Sequence, residues 1–553
     1  MTNSLDIALA QLDPTVGDIA GNVKILRDAR AAAASEGADL VVATELVVSG
    51  YPPEDLVLKP AFVEAVREGV MELAADTADG GPAIVVGAPW RDGDAVYNAV
   101  LLLDGGRMAT ARYKVDLPNY GVFDEKRVFA VGRPGGPVNF RGVRLGLAIC
   151  EDIWTPEVCE TLEESGAEIL IVVNGSPFEH DKPDLRTNIA VARINETRLP
   201  LAYVNQVGGQ DELVFDGASF VLNADRSLVV QAPSFRDAVV TTRWRREGDG
   251  WRCQPGEVVP PLEGHAAIYQ AVVLGLGDYV GKNGFPGVVL GLSGGIDSAL
   301  SAAIAVDALG AGRVHCVMMP SPYTSEASLE DAAETARRLG VRLDSVSIEP
   351  AMGAFDDMLR GAFNAPAAGL TKENIQSRAR GVTLMAISNA TGAMLLTTGN
   401  KSEMSVGYAT IYGDMCGGYS VLKDIYKTDV FALARWRNAN RPEGGLGPNG
   451  PVIPERVITK APSAELRPDQ KDEDSLPPYA ELDEILRGLI EEDLGVEALA
   501  ANGHDRETLE RVWRLLETAE YKRRQAPPGV KITGRAFGRD RRYPVTNAFR
   551  GSA

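Results

Sequence analysis

Three reactive side chains in the amino-terminal half of the chain each follow a short apolar run or lie close to one. They are Glu45, Lys114 and Cys150. A cysteine attacks as its thiolate, so a nucleophilic thiol needs a nearby base and a cation that favours its negative form. A glutamate can take the thiol proton and later activate water, and a lysine ammonium can stabilise the thiolate and a tetrahedral oxyanion. These residue types predict covalent catalysis by Cys150.

Each of these residues alone has an ordinary interpretation: a small core thiol, a solvated lysine and a helix-start acid. Their contexts, LVVATELVVSGYP, ARYKVDLPNYGVFDE and RLGLAICEDIW, together resemble the nitrilase superfamily, in the same order along the chain. The resemblance covers nearly all of residues 1–245 and implies a four-layer αββα sandwich. It implies Glu45 as base, Lys114 as oxyanion stabiliser and Cys150 as nucleophile. Glu125, in FDEKRVF, matches a further active-site glutamate of that superfamily.

The resemblance also bears on the substrate. Free glutamine carries an ammonium and a carboxylate beside its amide, so its pocket needs a carboxylate, hydroxyls and a cation. The contexts SGYP, PNYGVF, ICED, NGSPF and HDKPD resemble those of the glutaminase members of the superfamily. The resemblance implies that glutamine is bound by Tyr51, Tyr120, Phe123, Glu151, Ser176 and Lys182.

A second motif, GVVLGLSGGIDSA, has the pattern of a strand, a turn of small residues and a helix start. Glycines let the backbone approach a ligand closely, serines offer hydroxyls, and a helix start directs free N–H groups at an anion. Most isolated glycine pairs are plain turns. SGGxDS, however, resembles the PP-loop of ATP pyrophosphatases and lacks the lysine of a Walker A motif. The resemblance implies adenylation with release of pyrophosphate, and ATP binding by Gly291, Leu292, Ser293, Gly294, Gly295, Ile296, Asp297 and Ser298.

A departing pyrophosphate needs a hard, oxygen-bound cation, so Asp297 is predicted as a magnesium ligand. Downstream, LLTTGNKSEMSVGYATIYGDMCGGYSVLKDIYKTDV resembles the NAD synthetase family, and the resemblance covers most of residues 265–550. It implies that Glu403 is a second metal-linked carboxylate beside the dinucleotide. It also implies that Thr398 contacts ATP and that Lys427 reaches the phosphates. The other residues implied to bind deamido-NAD are Asn374, Asp414 and Lys522.

Two sets of strands and helices must position these residues. Residues 1–245 alternate short β-like runs with Ala-rich helical runs, which predicts layered helices and sheets. Gly, Pro and charge interrupt the pattern at 246–264, which predicts a linker on the surface. Residues 265–553 resume the alternation and predict a parallel α/β sheet with ligands at the carboxyl ends of its strands. Within them, 441–476 is predicted as an irregular connector before a helical tail over Tyr479–Glu520.

Length and composition limit the possible classes of function. A chain of 553 residues exceeds what one hydrophobic core usually organises, which predicts at least two domains. The five cysteines show no CxxC spacing, which argues against disulfides, zinc sites and iron–sulfur clusters. A net charge of −20 disfavours nucleic acid as a partner, and no apolar run is long enough to span a membrane. The amino terminus lacks the features of a secretory signal. We expect a cytoplasmic protein that forms a homo-oligomer.

The resemblances together imply a carbon–nitrogen ligase whose substrates are glutamine, ATP and deamido-NAD. Cys150 would free ammonia from glutamine, and the second domain would convert deamido-NAD to NAD with AMP and pyrophosphate as products. GMP and asparagine synthetases also pair a glutaminase with a PP-loop, but their glutaminase halves have other folds. A tRNA-modifying PP-loop protein would need a basic surface. An inert scaffold would not need the Glu45, Lys114 and Cys150 set.

Overall fold

The computed structural model of the chain describes residues 3–180, 182–363 and 369–549. The chain forms two compact units, Met1–Leu262 and Glu263–Ala553. Strand pairing in the first unit continues to Cys253, inside the segment predicted as a linker. Trp251 and Cys253 are buried there, and buried apolar side chains favour a strand over a solvated loop. Residues 250–253 of the predicted linker are therefore part of a sheet of the first unit.

The first unit contains two sheets and a hairpin. Its strands are β1 Ser4–Gln11, β2 Leu40–Val42, β3 Ala83–Asp92, β4 Ala95–Asp104, β5 Arg107–Tyr113, β6 Val138–Phe140, β7 Val143–Ile149, β8 Ile169–Asn174, β9 Leu201–Asn205, β10 Val207–Gln210, β11 Leu213–Asp216, β12 Phe220–Leu222, β13 Leu228–Gln231, β14 Ala238–Glu247 and β15 Gly250–Cys253. The sheet orders are β15-β14-β1-β2-β3-β4-β5 and β13-β12-β9-β8-β7-β6, and β10 pairs with β11. β1 pairs antiparallel with β14, from Ser4 opposite Arg245 to Gln11 opposite Ala238.

Helices cover the outer face of each sheet in this unit. They are α1 Ile19–Ser35, α2 Pro60–Asp76, α4 Glu157–Glu164 and α5 Lys182–Thr197. The short helix α3 Glu125–Val128 packs instead on a separate apolar cluster with Leu46 and Tyr51. Successive side chains of β1 and β2 point to opposite faces, so one set packs on α1 and α2 and the other set packs on the second sheet. Helices α4 and α5 pack on the far face of β7, β8 and β9. The layers are helix, sheet, sheet and helix, which confirms the predicted αββα sandwich.

The second unit contains a parallel sheet. Its strands are β16 Val288–Gly291, β17 Val314–Met318, β18 Arg342–Ser345, β19 Met394–Thr397 and β20 Tyr419–Ser420. The order is β18-β17-β16-β19-β20, and the neighbouring strands are parallel. The chain adds β17 and β18 on one side of β16 and later adds β19 on the other side of β16. In such sheets a crevice opens at the carboxyl ends of the strands where the direction changes, here β16 and β19. The predicted parallel α/β sheet is confirmed.

Helices surround this sheet and form a second core beside it. They are α6 Gly264–Lys282, α7 Ile296–Leu309, α8 Glu326–Leu339, α9 Glu349–Phe363, α10 Leu370–Thr391, α11 Lys401–Val406, α12 Lys427–Ala439, α13 Glu455–Thr459, α14 Tyr479–Ile490, α15 Val496–Ala501, α16 Arg506–Thr518 and α17 Glu520–Arg523. The second core joins the apolar faces of α14, α15 and α16 to α11. In the parts of the chain that the structure describes, no helix combines the length and apolarity needed to cross a membrane.

A buried ion pair ties three of these helices together behind the sheet. Arg437 of α12 donates to both carboxylate oxygens of Asp307, at 2.5 and 2.9 Å. The hydroxyl of Tyr269 on α6 donates to the same carboxylate at 2.7 Å. Asp307 lies in the last turn of α7, whereas Asp297 lies in its first turn. The ion pair therefore fixes the end of α7 that is remote from the predicted phosphate loop.

Candidate active sites

Cys150 lies at a sharp turn directly after β7. It begins a short 3-10 helix, Cys150–Ile153, with a φ of +45°, a region that non-glycine residues rarely adopt. Asp152 holds this turn, because its carboxylate accepts from the Ile149 amide at 3.0 Å. The other oxygen of Asp152 accepts from the amides of Val115 and Asp116 at 2.8 and 2.9 Å. One carboxylate thus ties the turn that carries the thiol to the segment that follows β5 and contains the predicted lysine.

Lys114 is the centre of a buried group of polar side chains. Its Nζ donates to Glu45 Oε1 at 2.7 Å and to Glu125 Oε1 and Oε2 at 3.0 and 2.9 Å. The Tyr51 hydroxyl donates to Glu125 Oε1 at 3.0 Å, and the Gly175 amide donates to Glu45 Oε2 at 2.9 Å. The side chains of Glu45 and Lys114 are fully buried. The structure therefore brings four of the residues predicted from the sequence into direct contact.

The charges of this group decide the protonation of the thiol. Burial raises the pKa of Cys150 well above its ordinary value, the charge of Glu45 raises it further, and Lys114 opposes both. Burial acts to lower the pKa of Lys114, but the carboxylates of Glu125 and Glu45 outweigh it and raise that pKa well above its usual value. Burial also raises the pKa of Glu125 to about 7, although Lys114 lowers it. The resting thiol is therefore protonated beside a permanent cation, and its attack requires a base.

Four of the residues predicted to bind glutamine lie next to one another. The hydroxyl of Tyr120 donates to Glu151 Oε1, and its ring meets the Phe123 ring edge-on with centroids 5.5 Å apart. The Nζ of Lys182 lies 5.5 Å from the centroid of Phe123 and 3.6 Å from Glu179 Oε1. A hydroxyl, a carboxylate and a cation are thus grouped together, as recognition of an amino acid requires.

The remaining predicted glutamine contact, Ser176, follows β8 next to the Gly175 amide that binds the Glu45 carboxylate. Its amide donates to Asn205 Oδ1 at 3.0 Å, and its hydroxyl accepts from Arg186 Nε at 3.0 Å. Arg186 also donates to both carboxylate oxygens of Asp216, at 2.7 and 2.9 Å, and both side chains are buried. The Arg186–Asp216 ion pair therefore fixes the loop that carries Ser176.

The predicted phosphate loop connects β16 to α7 in the second unit. The amide of Ser293 donates to Ser298 Oγ and the amide of Gly295 donates to Ser293 Oγ, both at 3.2 Å. The hydroxyl of Ser298 donates to the Gly295 carbonyl at 3.0 Å. Gly294 has a φ of +83°, and a Cβ there would lie 2.3 Å from the Ser328 carbonyl oxygen. The loop is therefore closed by its own serines and admits no side chain at Gly294.

This loop opens onto a cavity of about 940 Å³ at the carboxyl ends of β16 and β19. All the residues predicted to bind ATP and deamido-NAD line this cavity. They are Gly291, Leu292, Ser293, Gly294, Gly295, Ile296, Asp297, Ser298, Thr398, Lys427, Asn374, Glu403, Asp414 and Lys522. The crevice expected from the strand order and the residues implied by the motifs thus coincide.

Two carboxylates in this cavity converge on one ammonium. Lys427 Nζ donates to Asp297 Oδ2 at 2.5 Å and to Glu403 Oε1 at 2.9 Å. Asn400 connects the same two residues, because its Nδ2 donates to Asp297 Oδ1 at 2.9 Å and its Oδ1 accepts from the Glu403 amide at 3.0 Å. Burial raises the pKa of Glu403, and the charge of Lys427 opposes this rise.

Asp297 and Glu403 fit a magnesium ion in the type of their donors. Carboxylate oxygens are hard ligands, and magnesium usually takes one or two of them and completes its shell with phosphates and water. Within residues 3–180, 182–363 and 369–549, no group of three or more histidine, cysteine, aspartate and glutamate side chains is arranged to hold a metal. Two carboxylates at a phosphate loop therefore suit magnesium better than a cation that takes all of its ligands from protein side chains.

The candidates for deamido-NAD binding are connected through the segment after α11. Asn374 Oδ1 accepts from the Thr410 hydroxyl at 3.1 Å, and Asp414 accepts from the Thr410 amide at 2.7 Å. Lys522 donates to the carbonyls of Gly407 and Ala409, both at 2.7 Å. Burial lowers the pKa of Lys522 and raises the pKa of Asp414. These three side chains hold one short segment of the cavity wall.

Comparison with known proteins gives both units a family. A family model described as carbon-nitrogen hydrolase matches residues 6–248, and one described as NAD synthase matches residues 268–526. The glutamine-dependent NAD(+) synthetase of Rhodobacter capsulatus is 52% identical over 550 residues, which is 100% of this chain and 100% of the relative. The chain belongs to the glutamine-dependent NAD(+) synthetase family.

Other members of the glutamine-dependent NAD(+) synthetase family agree with this assignment. The synthetase of Acinetobacter baylyi is 45% identical over 548 residues, covering 99% of each chain. The solved structure of the synthetase from Acinetobacter baumannii in complex with adenosine diphosphate is 44% identical, has a TM-score of 0.78 and covers 99% of each chain. The resemblances to the nitrilase superfamily and to NAD synthetases are confirmed. The protein is a ligase with a glutaminase unit and an NAD synthetase unit.

Two polar residues that position the candidate site of the glutaminase unit were not predicted from the sequence. Asp152 follows the predicted nucleophile closely, but no motif identified it as the acceptor for three backbone amides. Asn98 donates to both Glu45 and Glu125. Its signal in the sequence is a polar residue within the apolar strand AVYNAVLLLD, since a buried polar group normally has a partner.

The predicted connector 441–476 contributes to the wall of the cavity in the second unit. It contains α13, and much of its later half lines the cavity. Lys460 Nζ lies 3.2 Å from Glu465 Oε1, and Glu465 accepts from the hydroxyls of Ser325 and Ser328 at 2.9 and 2.7 Å. The segment is therefore attached to α8 by polar contacts, although its sequence lacks the periodicity of a helix or strand.

The close approach at Gly294 gives a testable expectation. Gly294→Ala should lower ammonia-dependent NAD formation at least about tenfold, because the added methyl meets the Ser328 carbonyl and the φ of +83° disfavours alanine. The measurement is the rate as a function of ATP concentration. Gly281→Ala is the matched control, since a Cβ at this position of α6 meets no atom within 4 Å. Equal ATP dependence in Gly294→Ala and the native protein would contradict the expectation.

Proposed function

We propose that this family member hydrolyses glutamine at Cys150 and uses the ammonia to amidate deamido-NAD, converting ATP to AMP and pyrophosphate. The observation that carries the proposal is the presence of two complementary sites in one chain. One is a cysteine beside a buried lysine and carboxylate group, and the other is a phosphate loop on a large cavity. The family match extends over the whole chain, so both sites belong to one family architecture.

In the proposed glutaminase step, Glu45 takes the Cys150 proton as the sulfur attacks the side-chain amide carbon of glutamine. The Lys114 ammonium stabilises the oxyanion of the tetrahedral intermediate, and its raised pKa keeps it charged. The carbon–nitrogen bond then breaks, and the proton from Glu45 leaves with the nitrogen as ammonia. A water molecule activated by Glu45 cleaves the thioester, which restores the thiol and releases glutamate.

In the proposed synthetase step, the carboxylate of deamido-NAD attacks the α-phosphorus of ATP. The bond from that phosphorus to the bridging oxygen breaks, and pyrophosphate leaves. The backbone amides of the loop 291–298 and the start of α7 suit the phosphates, and the buried ammonium of Lys427 lies on the same cavity wall. Ammonia then attacks the carbonyl carbon of the adenylate, so that AMP leaves and NAD is formed.

We place magnesium at Asp297 and Glu403. When bound, the ion would neutralise charge on the departing pyrophosphate. Asn400 orients the Asp297 carboxylate and fixes the Glu403 backbone, so the two ligands are held before any nucleotide arrives. Lys427 contacts both carboxylates and would balance their charge. The cytoplasmic location and the homo-oligomeric state stay predictions from the sequence.

The turnover of ATP to AMP tests the choice of acceptor. The purified chain is given ammonium, ATP and magnesium with deamido-NAD, xanthylate or aspartate in separate reactions. We expect AMP and pyrophosphate with deamido-NAD alone, because the residues around the cavity resemble those of NAD synthetases. AMP formation with xanthylate or aspartate, and none with deamido-NAD, would overturn the proposal. A parallel reaction with glutamine in place of ammonium tests the first unit.

A further inference from the structure

Asn98 is a fully buried residue of β4 that contacts both carboxylates of the glutaminase site. Its Nδ2 donates to Glu45 Oε1 at 2.7 Å and lies 3.4 Å from Glu125 Oε2. Its backbone carbonyl accepts from the Lys114 amide at 2.8 Å. We propose that Asn98 is a positioning residue that holds the Glu45 carboxylate in place beside Lys114 for its role as the base. The inference rests on the proposed role of Glu45 as the base of the glutaminase step.

The charge balance around Glu45 shows why an additional donor matters. The charge of Glu45 acts on the titratable groups of Tyr51, Lys114, Glu125, Cys150 and Glu151. Lys114 is the cation in this set, and it contacts two carboxylates. An amide donor carries no charge and does not titrate, so it can hold the Glu45 carboxylate in place without changing the charge of the group. Asn98 supplies this donor to the same oxygen that accepts from Lys114.

The opposite end of the Asn98 amide supports a functional role. Its Oδ1 is buried and has no hydrogen-bond partner among the described residues. Turning the amide over would place that oxygen against the carboxylate oxygens, so the donor must face Glu45. Asn223, a buried asparagine of the same unit, is satisfied at both ends by Cys253, with bonds of 3.0 and 2.9 Å. An asparagine needed for packing alone can satisfy both ends, whereas Asn98 leaves an acceptor unpaired to donate at the site.

The test compares Asn98→Leu with Asn223→Leu in the full chain. For Asn98→Leu we expect kcat/KM for glutamine hydrolysis to fall roughly 10- to 100-fold, because a buried carboxylate loses a donor. The fall should lie in kcat with KM near the native value, because the substitution displaces Glu45 and leaves the predicted glutamine contacts in place. Ammonia-dependent NAD formation should stay at the native rate. Asn223→Leu should lower the melting temperature and leave kcat and KM for glutamine at their native values.

Asn98→Asp keeps the shape of the side chain and covers the case in which the leucine variant does not fold. A carboxylate at this position cannot donate and repels Glu45, so the loss should be at least as large. A native kcat for glutamine hydrolysis in a folded Asn98→Leu or Asn98→Asp variant overturns the positioning role. Failure of the native protein to hydrolyse glutamine would instead overturn the proposed function. Glutamine hydrolysis by the native chain with equal activity in the variants removes only the inference about Asn98.

Discussion

Replacement of Cys150 by alanine is expected to abolish glutamine-dependent NAD formation and to leave ammonia-dependent formation near the native rate. In the proposed mechanism the thiol forms the covalent intermediate, so its removal should lower the glutamine-dependent rate by roughly 10⁴-fold or more. The synthetase cavity lies wholly within the second unit and is lined by residues from Gly291 onward. External ammonia should therefore still reach the adenylate. Both activities are measured as NAD formed from deamido-NAD and ATP.

Cys159→Ala is the control for this experiment. Cys159 is a fully buried thiol of α4 in the same unit, packed among apolar side chains. Burial raises its pKa to about 12, so it is an unreactive core residue. We expect this variant to keep both activities. If high ammonium concentrations fail to support NAD formation by a folded Cys150→Ala protein, the assignment of the two reactions to separate units is wrong.

Asp297→Asn should eliminate NAD formation with either nitrogen source. The substitution keeps the size of the side chain but removes the charge that pairs with Lys427 and that would bind magnesium. We expect a fall of roughly 10²-fold or more in the rate with saturating ammonium, because charge on the departing pyrophosphate is no longer neutralised. Glutamine hydrolysis should persist at a basal level. The rates are compared over a range of magnesium concentrations.

Asp307→Asn provides a control on the same helix. Asp307 is paired with Arg437 and Tyr269 in the remote last turn of α7. Breaking a buried ion pair by removing one partner costs about 3–5 kcal/mol, so this variant should melt at a lower temperature. The folded fraction should keep its dependence on ATP and magnesium. Native ammonia-dependent turnover in Asp297→Asn would show that Asp297 has a structural role.

Much of the architecture was predictable because its elements are strongly patterned. The alternation of β-like and helical runs predicted for residues 1–245 corresponds to observed elements such as α1, Ile19–Ser35, and β7, Val143–Ile149. Strand β15 was missed because Gly, Pro and charge dominate its surroundings, and only tertiary contact with β14 makes it a strand. The helical tail was predicted as one segment, but breaks at 491–495 and 502–505 divide it into α14, α15 and α16.

Candidate site residues could be predicted from the sequence where they lie in a short motif that is typical of one kind of chemistry. Cys150 and Asp297 each lie in a short run of residues with a recognisable function. Asn98 and Asp152 could not be assigned in this way, because their partners are distant along the chain. Asn98 contacts Glu45 across 53 positions, and Asp152 contacts the Val115 amide across 37 positions. Only the folded sheets bring these groups together.

The pairing of β1 with β14 has a consequence for synthesis and dissection of the chain. β1 is made long before β14, yet Ser4–Gln11 pairs along its whole length with Ala238–Arg245. A nascent chain must hold an unpaired strand edge until nearly all of the unit has been made, and such non-local pairing slows folding. Exposed edges also recruit other chains. We therefore expect a fragment that stops before Ala238 to aggregate, whereas one that continues through Leu262 remains dispersed.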